Sequence, residues 1–134
     1  MKRVLIILML VLMLVGCSQK LTTSKCNYSK IEVYFYYSPR CPHCENVKPY
    51  VDEIRDKYKN VSFHYCNVEN ASKECYKYAY YVYGVPTIVV HTNGITTSLV
   101  GERDIMGLEN LIKCFACCDL FVSLGSASAD TCYT

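Results

Sequence analysis

The sequence predicts an α/β fold, a four-stranded mixed sheet flanked by helices in the order β-α-β-α-β-β-α. Two observations predict it. Four runs rich in β-branched and aromatic residues alternate with predicted helices. An Asn-Gly pair separates the last two runs and is the strongest short signal for a β-hairpin. The 134 residues, 51% of them hydrophobic, leave room for one domain with a sizeable core.

The first strand and the first helix surround a Cys-Pro-His-Cys segment. Residues 31–37 (IEVYFYY) have the composition of a buried strand, and a Ser-Pro pair ends it. A helix is predicted from residue 41 to about residue 58, and Pro49 is expected to kink it. Its buried face is predicted by apolar residues three and four positions apart: Val47, Tyr50, Val51, Ile54 and Tyr58.

The second half of the domain supplies the remaining strands and helices. Residues 61–66 and 85–91 are predicted strands. The segment 72–83, rich in tyrosine, is a predicted helix. Residues 95–100 should pair antiparallel with the third strand through the Asn-Gly turn, and residues 104–115 close the fold as a third helix.

The N-terminal segment predicts export from the cytoplasm. Lys2 and Arg3 precede an uninterrupted apolar run over residues 4–15, which is the pattern of a signal peptide. A membrane span needs about 20 apolar residues, so this run is short for a transmembrane helix.

The residues that follow this run sharpen the prediction. Leu14-Val15-Gly16-Cys17 resembles the lipobox of prokaryotic lipoproteins, in which the cysteine is acylated and becomes the new N-terminus. The resemblance implies that residues 1–16 are a cleaved signal peptide and that Cys17 carries a lipid. The alternatives are an ordinary signal peptide or an uncleaved anchor that ends in Gly-Cys.

The rest of the chain divides into a tether, a domain and a tail. Residues 17–30 are polar and are predicted to form a lipid-anchored tether, residues 31–118 the domain, and residues 119–134 a flexible tail. Without residues 1–16, twelve basic residues balance twelve acidic ones. No basic face for nucleic acid is indicated, and no polybasic segment flanks the anchor, so membrane attachment is expected to depend on the lipid.

The chain contains ten cysteines, a number expected where disulfides persist rather than in a reducing cytosol. If Cys17 carries a lipid, nine remain, and an odd number cannot all pair within one chain. Cys66 and Cys75 bracket the connection between the second strand and the second helix and are predicted to form a disulfide.

The cysteines near the C-terminus leave alternatives open. Cys114, Cys117 and Cys118 are candidates for a structural disulfide or a second redox disulfide. Four cysteines from this cluster and the Cys-Pro-His-Cys segment would suit tetrahedral zinc. The two pairs lie on different predicted helices and the predicted compartment is oxidising, so no metal is expected.

Thiol-disulfide exchange requires an attacking thiolate and a second thiol that resolves the mixed disulfide. Cys41-Pro42-His43-Cys44 supplies both. At a helix start, Cys41 lies beside unpaired backbone N–H groups and the positive end of the helix dipole, which favour the thiolate. Cys41 is therefore the predicted nucleophile and Cys44, one turn later, the resolving thiol. Arg40 either favours the thiolate further or points into solvent.

Several positions resemble landmarks of the thioredoxin superfamily. They are the strand ending in YYSPRCPHC, Pro49, the following VDEIRDKY, and Gly84-Val85-Pro86-Thr87. The resemblance covers about residues 31–115 and implies the thioredoxin fold, with redox chemistry carried by sulfur and no cofactor. It also implies that Pro86 is cis and sits against the active disulfide, where the adjoining backbone pairs with substrate. Val85, Pro86 and Thr87 are the implied substrate-binding residues.

The segment also departs from thioredoxin. CPHC is similar to the motif of DsbA-type oxidants, although their large helical insert is absent. A hydrogen bond from His43 to the Cys41 thiolate would stabilise the reduced form and make the disulfide a stronger oxidant. Alternatively, His43 faces solvent. Phe35 stands where family members often bury an acidic residue and Glu32 is three residues out of register, so the proton acceptor for Cys44 is unassigned.

These observations predict a thiol-disulfide oxidoreductase tethered to the outer side of the cytoplasmic membrane, acting on cysteines of exported proteins. As an oxidant or isomerase, the direction that CPHC favours, it would be reoxidised by a quinone-linked membrane partner. As a reductant, it would take electrons from a membrane thiol carrier and keep partners such as apocytochrome cysteines reduced. A third alternative is a non-catalytic module that holds an extended partner beside Pro86.

Overall fold

The computed structural model describes residues 27, 28 and 30–117. Its elements in chain order are β1 (Glu32–Tyr37), α1 (Pro42–Lys57), β2 (Ser62–Asn67), a 3₁₀ helix (Lys73–Tyr81), β3 (Thr87–Thr92), β4 (Ile95–Val100), α2 (Gly101–Ile105) and α3 (Leu108–Cys117). Cys17, Cys118 and the predicted tail lie outside the described residues. Within the described part, no helix combines the length and the hydropathy needed to cross a bilayer.

The four strands form one mixed sheet in the order β2-β1-β3-β4. β1 pairs in parallel with β2 and antiparallel with β3, and β3 pairs antiparallel with β4. The parallel pair is joined by a crossover through α1, because parallel neighbours cannot be linked by a tight turn. The predicted α/β class with a four-stranded mixed sheet is confirmed.

The predicted hairpin between β3 and β4 is confirmed. Thr92 pairs with Ile95 across the turn. Asn93 and Gly94 have φ angles of 46° and 82°. A two-residue turn of this hand needs positive φ at both central positions, which Asn and Gly tolerate best. The turn sets the register of the hairpin, which pairs Val100 at the end of β4 with Thr87 at the start of β3.

Both faces of the sheet are covered, so β1 carries only apolar and aromatic side chains after Glu32, at its start. Val33 and Phe35 are fully buried on one face, in the larger core with α1 and α3. Tyr34 and Tyr36 are buried on the other face, in a smaller core that includes Tyr78 of the 3₁₀ helix. This alternation follows from the two-residue period of a strand. Helix α1 faces the larger core with Val47, Val51 and Ile54.

The predicted α-helix over residues 72–83 is instead the 3₁₀ helix Lys73–Tyr81. A 3₁₀ helix has three residues per turn, so Cys75, Tyr78 and Tyr81 fall in one row along it. Cys75 and Tyr78 are buried, and Tyr81 packs against the same cluster. The 3₁₀ winding thus places Cys75, Tyr78 and Tyr81, one from each successive turn, against the sheet.

The predicted third helix over residues 104–115 is two helices, α2 and α3. The break falls at Met106 and Gly107, and glycine is a poor helix former. The Gly107 N–H donates to the Asp104 carbonyl at 2.9 Å, as in a 3₁₀ turn. A Cβ at residue 107 would lie only 3.1 Å from that carbonyl oxygen, so this tight turn suits glycine.

The predicted tether is partly folded onto the domain. The Asn27 N–H donates to the Ala116 carbonyl of α3 at 2.8 Å. The ring centroid of Tyr28 lies 5.4 Å from that of Tyr58. These contacts show that the folded domain includes Asn27 and Tyr28. The polar composition of the segment did not predict them.

Candidate active site

Cys41 is the N-cap residue of α1. Its backbone is extended, with φ −101° and ψ 108°, and its Sγ accepts a hydrogen bond from the Cys44 N–H at 3.3 Å. Pro42 occupies the first turn, where a missing N–H costs no helical bond. The sulfur of Cys41 thus contacts a backbone N–H of the first turn of α1, at the positive end of the helix dipole.

The two thiols differ in exposure. Cys41 is half-buried, whereas Cys44 is 2% exposed, and neither is in a disulfide. Burial raises the pKa of the Cys44 thiol to about 11, and a hydrogen bond with Cys41 adds to the effect. An incoming disulfide or thiolate therefore meets Cys41, and Cys44 remains protonated behind it.

A cis-proline loop lies against Cys41. The Val85-Pro86 peptide bond is cis, as the resemblance implied, and the Cys41 thiol donates to the Val85 carbonyl at 3.7 Å. Two bonds hold the loop. The Thr87 hydroxyl donates to the Gly84 carbonyl at 2.8 Å, and the Gly101 N–H donates to the Pro86 carbonyl at 2.9 Å. The backbone next to Pro86 is thereby fixed beside the reactive sulfur.

His43 does not point at Cys41. Its Nδ1 lies 2.7 Å from Glu102 Oε1, and Asn46 Nδ2 donates to the same oxygen at 2.8 Å. The suggested hydrogen bond from His43 to the Cys41 thiolate is absent, because the ring is engaged with Glu102 of α2, and the alternative of a solvent-facing His43 agrees with its 73% exposed side chain. Sequence reasoning missed Glu102, 59 residues away. The register of the β3–β4 hairpin could have indicated it, because this register pairs Val100 with Thr87 and places the residues after Val100 beside the cis-proline loop.

Arg40 also faces away from the thiols. Its Nε lies 3.1 Å from Glu69 Oε1, and the Ser38 hydroxyl donates to the same carboxylate. These hydrogen bonds hold the pKa of Glu69 below its usual range. Arg40 therefore links the loop before α1 to the loop after β2. No contact of Arg40 among the described residues favours the Cys41 thiolate.

The family's acidic position holds an aromatic residue here. Phe35 is fully buried, with its ring 5.4 Å from Tyr37 and 5.8 Å from Tyr65. A phenyl group can neither take nor give a proton. Glu32 does not replace the acid, because its carboxylate pairs with Lys77 at 3.0 Å.

The other described cysteines are oxidised. Cys66 and Cys75 form the predicted disulfide, with Cα atoms 5.6 Å apart. Cys114 and Cys117 are each disulfide-bonded, so their sulfurs are not zinc-binding thiolates. No group of three or more His, Cys, Asp or Glu residues in the described part is arranged to hold a metal ion. Cys41 and Cys44 are thus the free thiols of the described residues.

Comparison with known proteins identifies thioredoxins as similar to this chain. The family model described as Thioredoxin matches residues 19–114. A thioredoxin from Methanocaldococcus jannaschii is 33% identical over 64 residues, which cover 47% of this chain and 73% of that protein. Reduced thioredoxin pre-protein from Schistosoma mansoni superposes with a TM-score of 0.54 at 26% identity, over 66% of this chain and 81% of that one. A thioredoxin mutant from Halobacterium salinarum superposes with a TM-score of 0.55 at 24% identity, over 65% and 75% of the two chains.

Proposed function

The chain belongs to the thioredoxin family, and from this premise we propose that it is a thiol-disulfide oxidoreductase acting on cysteines of exported proteins. One observation carries the proposal. The free thiols of the described residues form a pair at the start of α1, with Cys41 half-buried and Cys44 2% exposed. This arrangement suits an attacking thiol backed by a resolving thiol.

In the oxidising direction, a substrate thiolate attacks the Sγ of Cys41 in the Cys41–Cys44 disulfide. The S–S bond breaks, its electron pair goes to Cys44, and Cys44 takes up a proton. A second substrate thiolate then attacks the substrate sulfur of the mixed disulfide, and Cys41 leaves as a thiolate. The net reaction oxidises two substrate thiols by two electrons and reduces the cysteine pair. The reducing direction is the reverse.

In the reducing direction, Cys44 is the resolving thiol. Its thiol must lose a proton before it can attack the mixed disulfide, and burial raises its pKa to about 11. Phe35 supplies no carboxylate at the position where the family often has one. Resolution by Cys44 should therefore accelerate as pH rises through the neutral range, because the thiolate is the nucleophile.

The cis-proline loop is the proposed substrate-binding edge. The Val85 carbonyl faces the Cys41 thiol, and Pro86 and Thr87 are held by the bonds to Gly101 and Gly84. An extended substrate segment that pairs with this backbone would bring its cysteine to Cys41. Main-chain pairing of this type gives affinity with little dependence on sequence.

A trapping experiment tests the roles of the two cysteines. The C44A variant should accumulate mixed disulfides with partner proteins through Cys41, because the resolving thiol is absent. The C41A variant is the matched control and should accumulate none. Partners joined instead through other cysteines, as mapped by mass spectrometry, would overturn the assignment.

The direction of exchange has two candidates. The CPHC motif favours an oxidant or isomerase, whereas the engagement of His43 with Glu102 favours a reductant, since it withholds a donor from the Cys41 thiolate. The reduction potential of the Cys41–Cys44 pair separates them. A value around −120 mV would indicate a disulfide donor, for which a quinone-linked oxidase is the proposed partner. A value of about −270 mV would indicate a reductant, for which a membrane thiol carrier is the proposed electron donor.

Export and lipid attachment at Cys17 complete the proposal. The supporting observations are the apolar run over residues 4–15, the lipobox resemblance and the oxidised state of the described cysteines outside the active site. Persistent disulfides are typical of compartments outside the cytosol. A tether would raise the local concentration of the domain near a membrane redox partner.

A further inference from the structure

The start of α2 is built into the redox site. β4 ends at Val100, opposite Thr87 at the start of β3. Gly101 then adopts φ +80° and donates its N–H to the Pro86 carbonyl at 2.9 Å. This positive φ favours glycine. The next residue, Glu102, therefore lies beside the N-terminal end of α1.

Glu102 bridges two side chains of α1. Its Oε1 lies 2.7 Å from His43 Nδ1 and accepts from Asn46 Nδ2 at 2.8 Å. The hydrogen bonds from Asn46 and His43 hold the pKa of Glu102 below its usual range, so the carboxylate is charged at neutral pH. A charged acceptor makes the stronger kind of hydrogen bond.

The partners of the Cys41 sulfur are different. It accepts from the Cys44 N–H at 3.3 Å and donates to the Val85 carbonyl at 3.7 Å. His43 stands between the two cysteines in sequence, yet its ring is directed to α2 rather than to this sulfur.

We propose that Glu102 is a positioning residue that holds the His43 ring on α2 and thereby withholds it from the Cys41 thiolate, lowering the oxidising strength of the CPHC pair. The inference deepens the proposed redox function and rests on it. Without Glu102, the ring can turn about its side-chain torsions and donate to the thiolate. A stabilised thiolate favours the reduced dithiol, so the disulfide becomes a stronger oxidant.

The test compares the equilibrium of the Cys41–Cys44 pair with glutathione in wild type, E102A, H43A and the double variant H43A/E102A. Two glutathione thiols are oxidised to one glutathione disulfide for each pair reduced. We expect E102A to shift the equilibrium constant about tenfold towards the dithiol, equivalent to about 30 mV. In the H43A background, the same change should have little effect, because Glu102 acts through the ring.

Two variants sharpen this comparison. E102Q keeps an acceptor oxygen without the charge and should shift the equilibrium less than E102A. E45A removes a carboxylate from the first turn of the same helix and should leave the equilibrium near that of wild type. An equal shift of E102A in both backgrounds would overturn the proposal, since it would reveal a direct effect of charge. No shift together with lower thermal stability would also overturn it, since Glu102 would then be structural only.

A second readout separates this inference from the proposed function. The rate at which iodoacetamide alkylates Cys41 at fixed neutral pH follows its thiolate fraction and needs no redox partner. E102A should alkylate several times faster than wild type, and H43A/E102A should match H43A. If the pair does not exchange with glutathione in any variant, the redox function fails, whereas unequal alkylation rates would still support the role of Glu102.

Discussion

The different environments of Cys41 and Cys44 account for the chemistry assigned to them. Cys41 caps α1, accepts the Cys44 N–H at its sulfur and remains partly exposed, whereas Cys44 is buried one turn later. Their order along the helix, rather than any further catalytic group in the described residues, determines which sulfur meets the substrate. The same arrangement leaves Cys44 with a raised pKa and with Phe35 at the usual acid position.

The raised pKa of Cys44 predicts a pH-dependent stability. Its usual value of 9.0 applies to the unfolded chain, and the folded value is about 11, so the folded protein holds this proton more tightly. The stabilisation is present below pH 9 and is lost as pH rises through 11. Between these values, C41A, which keeps Cys44, should lose on the order of 1 kcal/mol more stability than C41A/C44A, because burial, the main cause of the raised pKa, remains when Cys41 is removed.

Urea denaturation of the two variants at several pH values between 8 and 11 measures this difference. Tyrosine titration contributes to both variants and cancels in the comparison. If the unfolding free energies of the two variants changed with pH in parallel, folding would not raise the pKa of Cys44, which would contradict this prediction.

At the scale of elements, the Cys66–Cys75 disulfide fixes the 3₁₀ helix to the sheet. Cys75 lies on the same row as Tyr78, and the Tyr36 hydroxyl donates to the Cys75 carbonyl at 2.6 Å. These contacts lie in the smaller core, on the opposite face of β1 from Phe35 and α1. The disulfide is therefore expected to serve stability rather than catalysis.

The C66A/C75A variant should lose about 2 to 3 kcal/mol of unfolding free energy, because the disulfide closes a short loop of sequence separation 9. Chemical denaturation measures this loss. The rate of Cys41 alkylation should stay within about twofold of wild type, since the active site is on another part of the fold. A large change in the alkylation rate, or no loss of unfolding free energy, would contradict a purely stabilising role for the Cys66–Cys75 disulfide.

Local patterns predicted some elements well and others poorly. The β3–β4 hairpin was predictable because Asn93-Gly94 encodes its turn within two residues. The strands and α1 followed from composition and spacing. The 3₁₀ winding depends on how Cys75 and the tyrosines pack against the sheet, and the break at Gly107 depends on a turn that periodicity does not reveal. The first of these features is set by tertiary contacts, which override local propensity, and the second by the turn geometry around a single glycine.

At the scale of the molecule, the site is assembled at one end of the sheet. The end of β1 leads into Cys41, the cis-proline loop precedes β3, and α2 follows β4 with Glu102. The cysteine pair and the proline loop were predictable, because each is a short motif. The contact between His43 and Glu102 was not, because it spans 59 residues and depends on the strand register.

The proposed membrane tether is tested on the full chain in a bacterial host. Metabolic labelling with palmitate should label wild type, and C17S should carry no label, because Cys17 is the proposed site of acylation. C26S is the matched control within the tether and should remain labelled. Label on C17S, or none on wild type, would contradict lipid attachment at this position.

The most direct test of the central claim is turnover of disulfides by the purified domain. Wild type and C41A are compared in a glutathione buffer, with a reduced substrate peptide of two cysteines and, in the reverse direction, its disulfide form. The account predicts that wild type accelerates exchange in at least one direction and that C41A does so in neither. Wild type that is no faster than C41A, with its cysteine pair intact by mass spectrometry, would contradict the oxidoreductase and leave a binding module in its place.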